Sequence, residues 1–162
     1  KRLPEHHFVF AGVTCNEFEQ YPEQLRRLRA EIGSPVQLHF DVPHEDMAEL
    51  MARAAIYLHT INPPDAAFGA PIGMPISIAE AMATGAYVIA RDLPELAAYV
   101  GDAGALYSDA DHAERLIAAT GGWSDRRWRE ALHRASDRGY LHHADQVVLR
   151  PMYEEWCRLL RT

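Results

Sequence analysis

The sequence predicts an α/β fold: a Rossmann-like parallel sheet of about five strands flanked by helices, with a helical C-terminal extension. Short apolar runs alternate with amphipathic segments, and those segments are long enough to cross between parallel strands. After Asp109 the alternation stops and only helical patterns follow. We therefore expect a single domain over residues 1–162, with a Rossmann-like core over 1–108 and a helical flank over 109–162.

The first part of the chain contains three predicted strands. Apolar runs typical of strands buried on both faces lie at 7–11, 36–40 and 55–59. Apolar residues at helical spacing follow the first two strands, over 17–32 and 47–54. Residues 60–75 are rich in proline and glycine, so we expect a long loop there.

A helix over 75–84 should follow this loop, because Pro75 suits the first helical position and Gly85 suits the position just past the end. The remaining pattern predicts a strand over 86–90, a helix over Pro94–Val100 and a last strand over Gly104–Tyr107. Three helices complete the chain, over 111–120, 124–138 and 142–160, with Pro151 bending the last one.

Composition excludes several classes of function. With 16 basic and 23 acidic residues, the net charge of −7 disfavours non-specific binding to nucleic acid. No apolar segment is long enough for a membrane span, and the N-terminal residues lack the apolar region of a signal peptide. Cys15 and Cys157 have no metal-ligand spacing, and the histidine pairs are adjacent residues whose side chains diverge. We expect a cytoplasmic protein that needs no metal.

The segment GMPISIAEAMATG, residues 73–85, places one carboxylate in an almost apolar helix. Ser77, Glu80 and Thr84 form a narrow polar stripe between apolar flanks, so Glu80 should lie at or near the interior. A carboxylate in that position needs partners. Its partners are either structural, such as Arg53, Arg91 or backbone amides, or the hydroxyl groups of a ligand.

The position of this helix favours a ligand as the partner of Glu80. Parallel sheets bind ligands at the carboxyl ends of their strands, where helix N-termini favour anions. The amides of Ile76 and Ser77, with the Ser77 hydroxyl, would receive a phosphate, and Glu80 would reach a sugar diol attached to it. His59 and Arg91 end strands at the same edge. His59 would touch phosphate or sugar, or only pack, and Arg91 would face the ligand or form a salt bridge.

Five segments resemble the carboxyl-terminal, donor-binding domain of GT-B glycosyltransferases of the retaining family-four type. They are HFVFAG, VQLHFDVP, MAELMARAAIYLHT, GMPISIAEAMATGAYVIARDLPEL and GDAGALY, in the order and spacing of that domain. The resemblance covers about residues 7–107. It implies a nucleoside diphosphate sugar as donor and chemistry without a metal cofactor.

Carried over by position, the resemblance assigns donor-binding roles to residues of this chain. Glu80 corresponds to the motif glutamate that holds the ribose hydroxyls, and the turn with Gly73, Met74, Ile76 and Ser77 corresponds to the segment that meets the diphosphate and sugar. Val42 and Pro43 fall where the nucleobase lies, and Thr60 where a small residue ends the third strand. Arg91 is the expected cation facing the donor.

Departures from the family pattern shape the expected function. The other motif glutamate is replaced by Ile72, or by Ala70 if the loop is shifted, and Asp65 is a candidate substitute. The family's basic residues upstream of HFVFAG and its acceptor-binding domain are absent from the chain. We expect the donor-binding part of a hexosyltransferase-like enzyme, a fragment inactive alone, whose full protein has an N-terminal acceptor domain and peripheral membrane contact. The alternative is a non-catalytic nucleotide-binding or protein-interaction module.

Overall fold

The computed structural model describes residues 3, 6–12, 21–33, 36–60 and 75–143, without the side chains of Tyr21, Ile32 and His143. The chain forms two compact units, Lys1–Glu49 and Leu50–Thr162. All five predicted strands are present and parallel, hydrogen bonded as a pair, β1–β2, and as a triplet, β3–β4–β5. The predicted α/β class is confirmed.

The first unit contains strand β1 (Val9–Gly12), helix α1 (Tyr21–Ile32) and strand β2 (Gln37–Phe40), and helix α2 (His44–Ala52) begins in it. The two strands run in parallel register, with Val9 opposite Gln37 and Gly12 opposite Phe40. The chain leaves β2 through Asp41, which adopts a left-handed backbone conformation with φ of 53°. Aspartate tolerates that conformation better than most residues, so Asp41 suits the turn.

The second unit carries the rest of the fold. Its elements are β3 (Ile56–His59), α3 (Ile76–Ala83), β4 (Tyr87–Arg91), α4 (Pro94–Val100), β5 (Gly104–Tyr107), α5 (Ala110–Thr120) and α6 (Asp125–His143). Strand β4 is the middle strand, and Val88, Ile89 and Ala90 in it are fully buried. A continuous apolar run is what a strand covered on both faces requires.

Helix α6 closes over α3. The two helices approach so closely that a Cβ atom on Gly139 would lie 2.6 Å from the backbone nitrogen of Ala83. The start of the α6 region packs through aromatic rings, since Trp123 contacts Tyr87 edge-on at 5.1 Å and Trp128 at 4.9 Å between ring centroids. Helix α6, in the predicted helical flank, therefore packs on the core of the second unit.

One predicted boundary is wrong. The sequence pattern indicated a break between helices at 138–142, but α6 continues through these residues to His143. Gly139 does not end the helix, because it lies inside α6 at the crossing with α3, where only a residue without a side chain fits. The rest of the predicted helix over 142–160 lies outside the described residues.

Candidate functional site

Helix α3 is the element that carries the candidate site. Pro75 precedes it as the N-cap, in an extended conformation with ψ of 95°, one position earlier than the sequence suggested. The helix ends at Ala83 with Thr84 as its C-cap, and Gly85 follows with φ of 89°, the left-handed conformation in which glycine is favoured. Ile78, Ala81 and Met82 are fully buried and fix the orientation of the helix against the core.

The outer face of α3 is more exposed than the sequence pattern suggested. Ile76 was expected to lie on an apolar flank, but its side chain is 69% exposed, because it opens the helix. Ser77 and Glu80 are half-buried. Glu80 thus lies between solvent and interior, where its carboxylate remains within reach of a ligand.

Tyr57 of β3 joins these two residues. The Ser77 hydroxyl lies beside its phenol, and Glu80 lies close enough for the carboxylate charge to affect the phenol. Burial raises the pKa of Tyr57, the neighbouring Ser77 hydroxyl opposes that rise, and the charge of Glu80 adds to it. Tyr57 is therefore a neutral phenol at physiological pH. Tyr57, Ser77 and Glu80 form one polar cluster.

His59 extends this cluster to the carboxyl end of β3. Its ring centroid lies 6.4 Å from that of Tyr57, as expected for two residues on the same face of a strand. Burial lowers the pKa of His59, so the imidazole is neutral near pH 7. Its Nδ1 atom is buried and, in the described part of the chain, has no hydrogen-bond partner.

The first turn of α3 provides backbone donors beside the cluster. The amide of Ile78 donates to the Pro75 carbonyl at 2.9 Å. The amides of Ile76 and Ser77 make no such bond among the described residues. These are the free N–H groups that a helix N-terminus offers to an anion.

The structural partners proposed for Glu80 can be checked in part. Across residues 36–60 and 75–143, neither Arg53 nor Arg91 forms a salt bridge with Glu80. Glu80 has further interactions of its own, and its backbone carbonyl accepts a bond from Thr84 at 3.0 Å. The arginine alternatives for its carboxylate are excluded, whereas the ligand role remains a prediction.

Arg91 ends β4 and is half-buried. It lies in register with Tyr107, one position after Ala90, which pairs with His59. Because side chains alternate between the two faces along a strand, those of Arg91 and His59 leave the sheet on opposite faces. Within the described residues Arg91 forms no ion pair with Asp92 or Glu95. Its role as a cation for the donor stays a prediction.

The other expected site residues are dispersed. Thr60 is exposed directly after β3, and Val42 and Pro43 follow β2 in the first unit. Gly73 and Met74, and the loop carrying Asp65, Ala70 and Ile72, lie outside the described residues. The structure brings Ser77 and Glu80 together, and it adds Tyr57, which sequence reasoning missed.

The described residues contain neither a metal-ligand cluster nor a membrane-spanning helix. Within the described residues, no group of three histidine, cysteine, aspartate or glutamate side chains is arranged to hold a metal ion. In the same part of the chain, none of the helices combines the length and apolar character that crossing a bilayer requires.

The fold and the position of the cluster define a class: an α/β domain of Rossmann-like type, with candidate ligand-binding residues at the carboxyl edge of a parallel sheet. A family model described as "Glycosyl transferases group 1" matches residues 1–123. The chain belongs to this family of glycosyltransferases. The resemblance stated from the sequence motifs is thus confirmed.

Solved structures agree with the family at the level of the fold. Anabaena HepE, solved in complex with UDP, matches with a TM-score of 0.77 and 18% identity over 96% of this chain and 42% of its own. Sucrose-phosphate synthase from Thermosynechococcus elongatus matches with a TM-score of 0.72 and 19% identity over 94% of this chain and 38% of its own. The chain thus spans about two fifths of each neighbour. Comparison with curated protein sequences gives no significant match.

Proposed function

We propose that the chain is the donor-binding part of a glycosyltransferase that transfers a sugar from a nucleoside diphosphate sugar to an acceptor. The observation that carries the proposal is the position of Ser77 and Glu80 on α3, with the free amides of Ile76 and Ser77 at the start of the helix. Family membership makes a nucleotide-linked sugar the first ligand to consider.

Glu80 is suited to a ribose. Its carboxylate has two oxygens, which accept hydrogen bonds from two neighbouring hydroxyl groups. A half-buried carboxylate makes stronger hydrogen bonds than one in bulk water, because the local dielectric is lower. The residue therefore favours a ribonucleotide over a deoxyribonucleotide.

The start of α3 is suited to the diphosphate. Its free amides and the positive end of the helix dipole attract an anion, and the Ser77 hydroxyl lies one residue into the helix. Pro75 has no N–H and contributes no donor. The complex of Anabaena HepE with UDP, on the same fold, supports a nucleoside diphosphate as ligand. The resemblance to the family adds further candidate donor-binding residues, namely Gly73, Met74, Thr60, Val42, Pro43 and Arg91.

The acceptor site belongs to another part of the full protein. Each structural neighbour is more than twice as long as this chain, as the coverage of 42% and 38% requires. We place acceptor binding, and the side chain that assists transfer, in an N-terminal domain. On this proposal the chain alone binds the nucleotide and transfers nothing, and the chemistry needs no metal.

The replacement of the first motif glutamate by Ile72 favours a second candidate function. A relative without that carboxylate binds the nucleotide but does not turn over the sugar, and so acts as a nucleotide-binding or protein-interaction module. The two functions differ in turnover and agree in binding.

The test uses the full-length protein. We would titrate UDP and GDP by calorimetry, and then incubate the protein with UDP-linked and GDP-linked hexoses and follow donor hydrolysis, in which water takes the sugar in place of the acceptor and the diphosphate leaves. The proposal predicts binding of one nucleotide and release from one of its sugars, and both should be weakened in Glu80→Ala but not in Glu130→Ala, a matched change on α6. Binding without release from any donor supports the module instead. No binding of either nucleotide overturns both.

A further inference from the structure

His59 carries a polar atom that the described part of the protein does not satisfy. Its Nδ1 is buried and has no hydrogen-bond partner there, although most buried polar atoms in proteins have one. The residue as a whole is only half-buried. Of the two ring nitrogens only Nδ1 is buried and unpartnered in the described part of the chain, which leaves Nε2 as the nitrogen available to a ligand.

This arrangement selects one form of the ring. In neutral imidazole one nitrogen carries hydrogen and the other is an acceptor. A buried N–H without an acceptor is less tolerable than a buried lone pair, so the hydrogen belongs on Nε2. The low pKa that burial gives His59 agrees, because protonation would add a second, unpaired N–H at Nδ1. His59 thus offers a neutral donor at its exposed edge.

The residues around His59 indicate which kind of ligand its Nε2–H group would contact. Its ring lies beside that of Tyr57, and Tyr57 contacts Ser77 in the first turn of α3. Its register partner on β4, Ala90, has no polar side chain. The Tyr107 hydroxyl holds the His59 backbone by donating to its carbonyl at 3.1 Å. His59 is therefore fixed at the carboxyl edge of the triplet, and its neighbour Tyr57 lies by the first turn of α3, which favours anions.

We propose that His59 binds the diphosphate of the donor nucleotide through Nε2–H, an inference that rests on the proposed function of the same site. A diphosphate offers only acceptors, which matches a nitrogen that only donates. The contact supplies a hydrogen bond without a positive charge. It gives the site a side-chain donor on β3 in addition to the amides of α3.

Two substitutions distinguish the roles of the two ring nitrogens of His59. Glutamine places its amide nitrogen near the position of Nε2, whereas asparagine reaches only as far as Nδ1. In the full-length protein, we would measure the affinity of UDP, GDP and the two nucleosides by calorimetry for His59→Gln and His59→Asn. His133→Asn, at an exposed position on α6, is the control.

The proposal predicts a loss that is specific to the phosphates. His59→Asn weakens binding of the diphosphate by about 10-fold or more, the effect of losing one hydrogen bond to a charged group. It leaves nucleoside binding within about twofold, and His59→Gln retains most of the diphosphate affinity. If His59→Asn does not fold, as judged by circular dichroism, His59→Phe replaces it, because phenylalanine fills the space without a donor.

Each other outcome overturns the inference in a distinguishable way. Equal loss of diphosphate and nucleoside affinity in His59→Asn means that His59 only packs. Unchanged affinity in His59→Asn, with loss in Glu80→Ala, overturns the role of His59 and leaves the proposed function standing. A full-length protein that binds neither UDP nor GDP overturns the proposed function, and this inference with it.

Discussion

Tyr107 on β5 donates a hydrogen bond from its phenolic hydroxyl to the backbone carbonyl of His59 on β3, at 3.1 Å. Strand β4 lies between these two strands, so the bond reaches across the middle strand at the carboxyl edge. Tyr107 is buried. The strand end that carries the candidate site is therefore held by a side chain as well as by the strand ladders.

Removing this hydroxyl should cost stability. In Tyr107→Phe the part-buried His59 carbonyl loses its side-chain donor, and we expect the free energy of unfolding to fall by about 0.5–1.5 kcal/mol. Urea denaturation measures the change. Tyr140→Phe is the control, because Tyr140 is exposed on α6 and its hydroxyl faces solvent. Equal stability of the two variants would show that the Tyr107 bond contributes nothing.

The crossing of α6 over α3 depends on Gly139. Alanine is the better helix former, so a Gly139→Ala change on an isolated helix would stabilise it. Here the added methyl group meets the backbone of Ala83, and we expect a net loss of about 1–3 kcal/mol from overpacking. Thermal unfolding should show a lower midpoint than in Gly122→Ala, where the nearest atom to the new Cβ is 3.9 Å away. A Gly139→Ala variant as stable as the natural protein would contradict the close approach.

The bounds of some helices and strands could be predicted from the sequence, and those of others could not. Helix Pro94–Val100 and strand Gly104–Tyr107 have the predicted bounds, because proline at a helix start and glycine at a strand start are local signals. The predicted helix break at 138–142 was wrong, because packing and not a local signal decides the structure there. Gly139 has the local signature of a helix end, but its environment is set by α3, and packing overrides the local preference.

The residues of the candidate site could likewise be predicted only in part. Glu80 was found because its carboxylate interrupts an apolar helix, which is visible in one stretch of sequence. Tyr57 was missed, since a tyrosine in a strand is ordinary until the fold places Ser77 beside its hydroxyl. The exposure of Ile76 was also missed, because helical periodicity does not show where the first turn leaves the core.

The buried imidazole of His59 predicts a loss of stability in acid. Burial lowers the pKa of His59 in the folded protein below its ordinary value of 6.5, so below pH 6.5 the unfolded chain binds a proton that the folded protein does not. Stability should therefore fall as the pH drops through 6.5. In His59→Gln this part of the pH dependence should be absent.

Unfolding by urea at pH 7.5 and at pH 5.5 measures this difference. The variant and the natural protein should differ in the size of their acid-induced loss of stability. Identical pH dependence in the two proteins would mean that His59 titrates with its ordinary pKa.

The central claim is that Glu80 holds the ribose hydroxyls of a nucleotide, and the direct measurement is the discrimination between a ribonucleotide and its 2′,3′-dideoxy analogue. For whichever of UDP or GDP binds the full-length protein, calorimetry would give both affinities for the natural protein, Glu80→Ala and Glu130→Ala. We predict a preference for the ribonucleotide of about 10-fold or more in the natural protein and in Glu130→Ala. Glu80→Ala should bind the two ligands equally. A preference that survives in Glu80→Ala would contradict the role of Glu80.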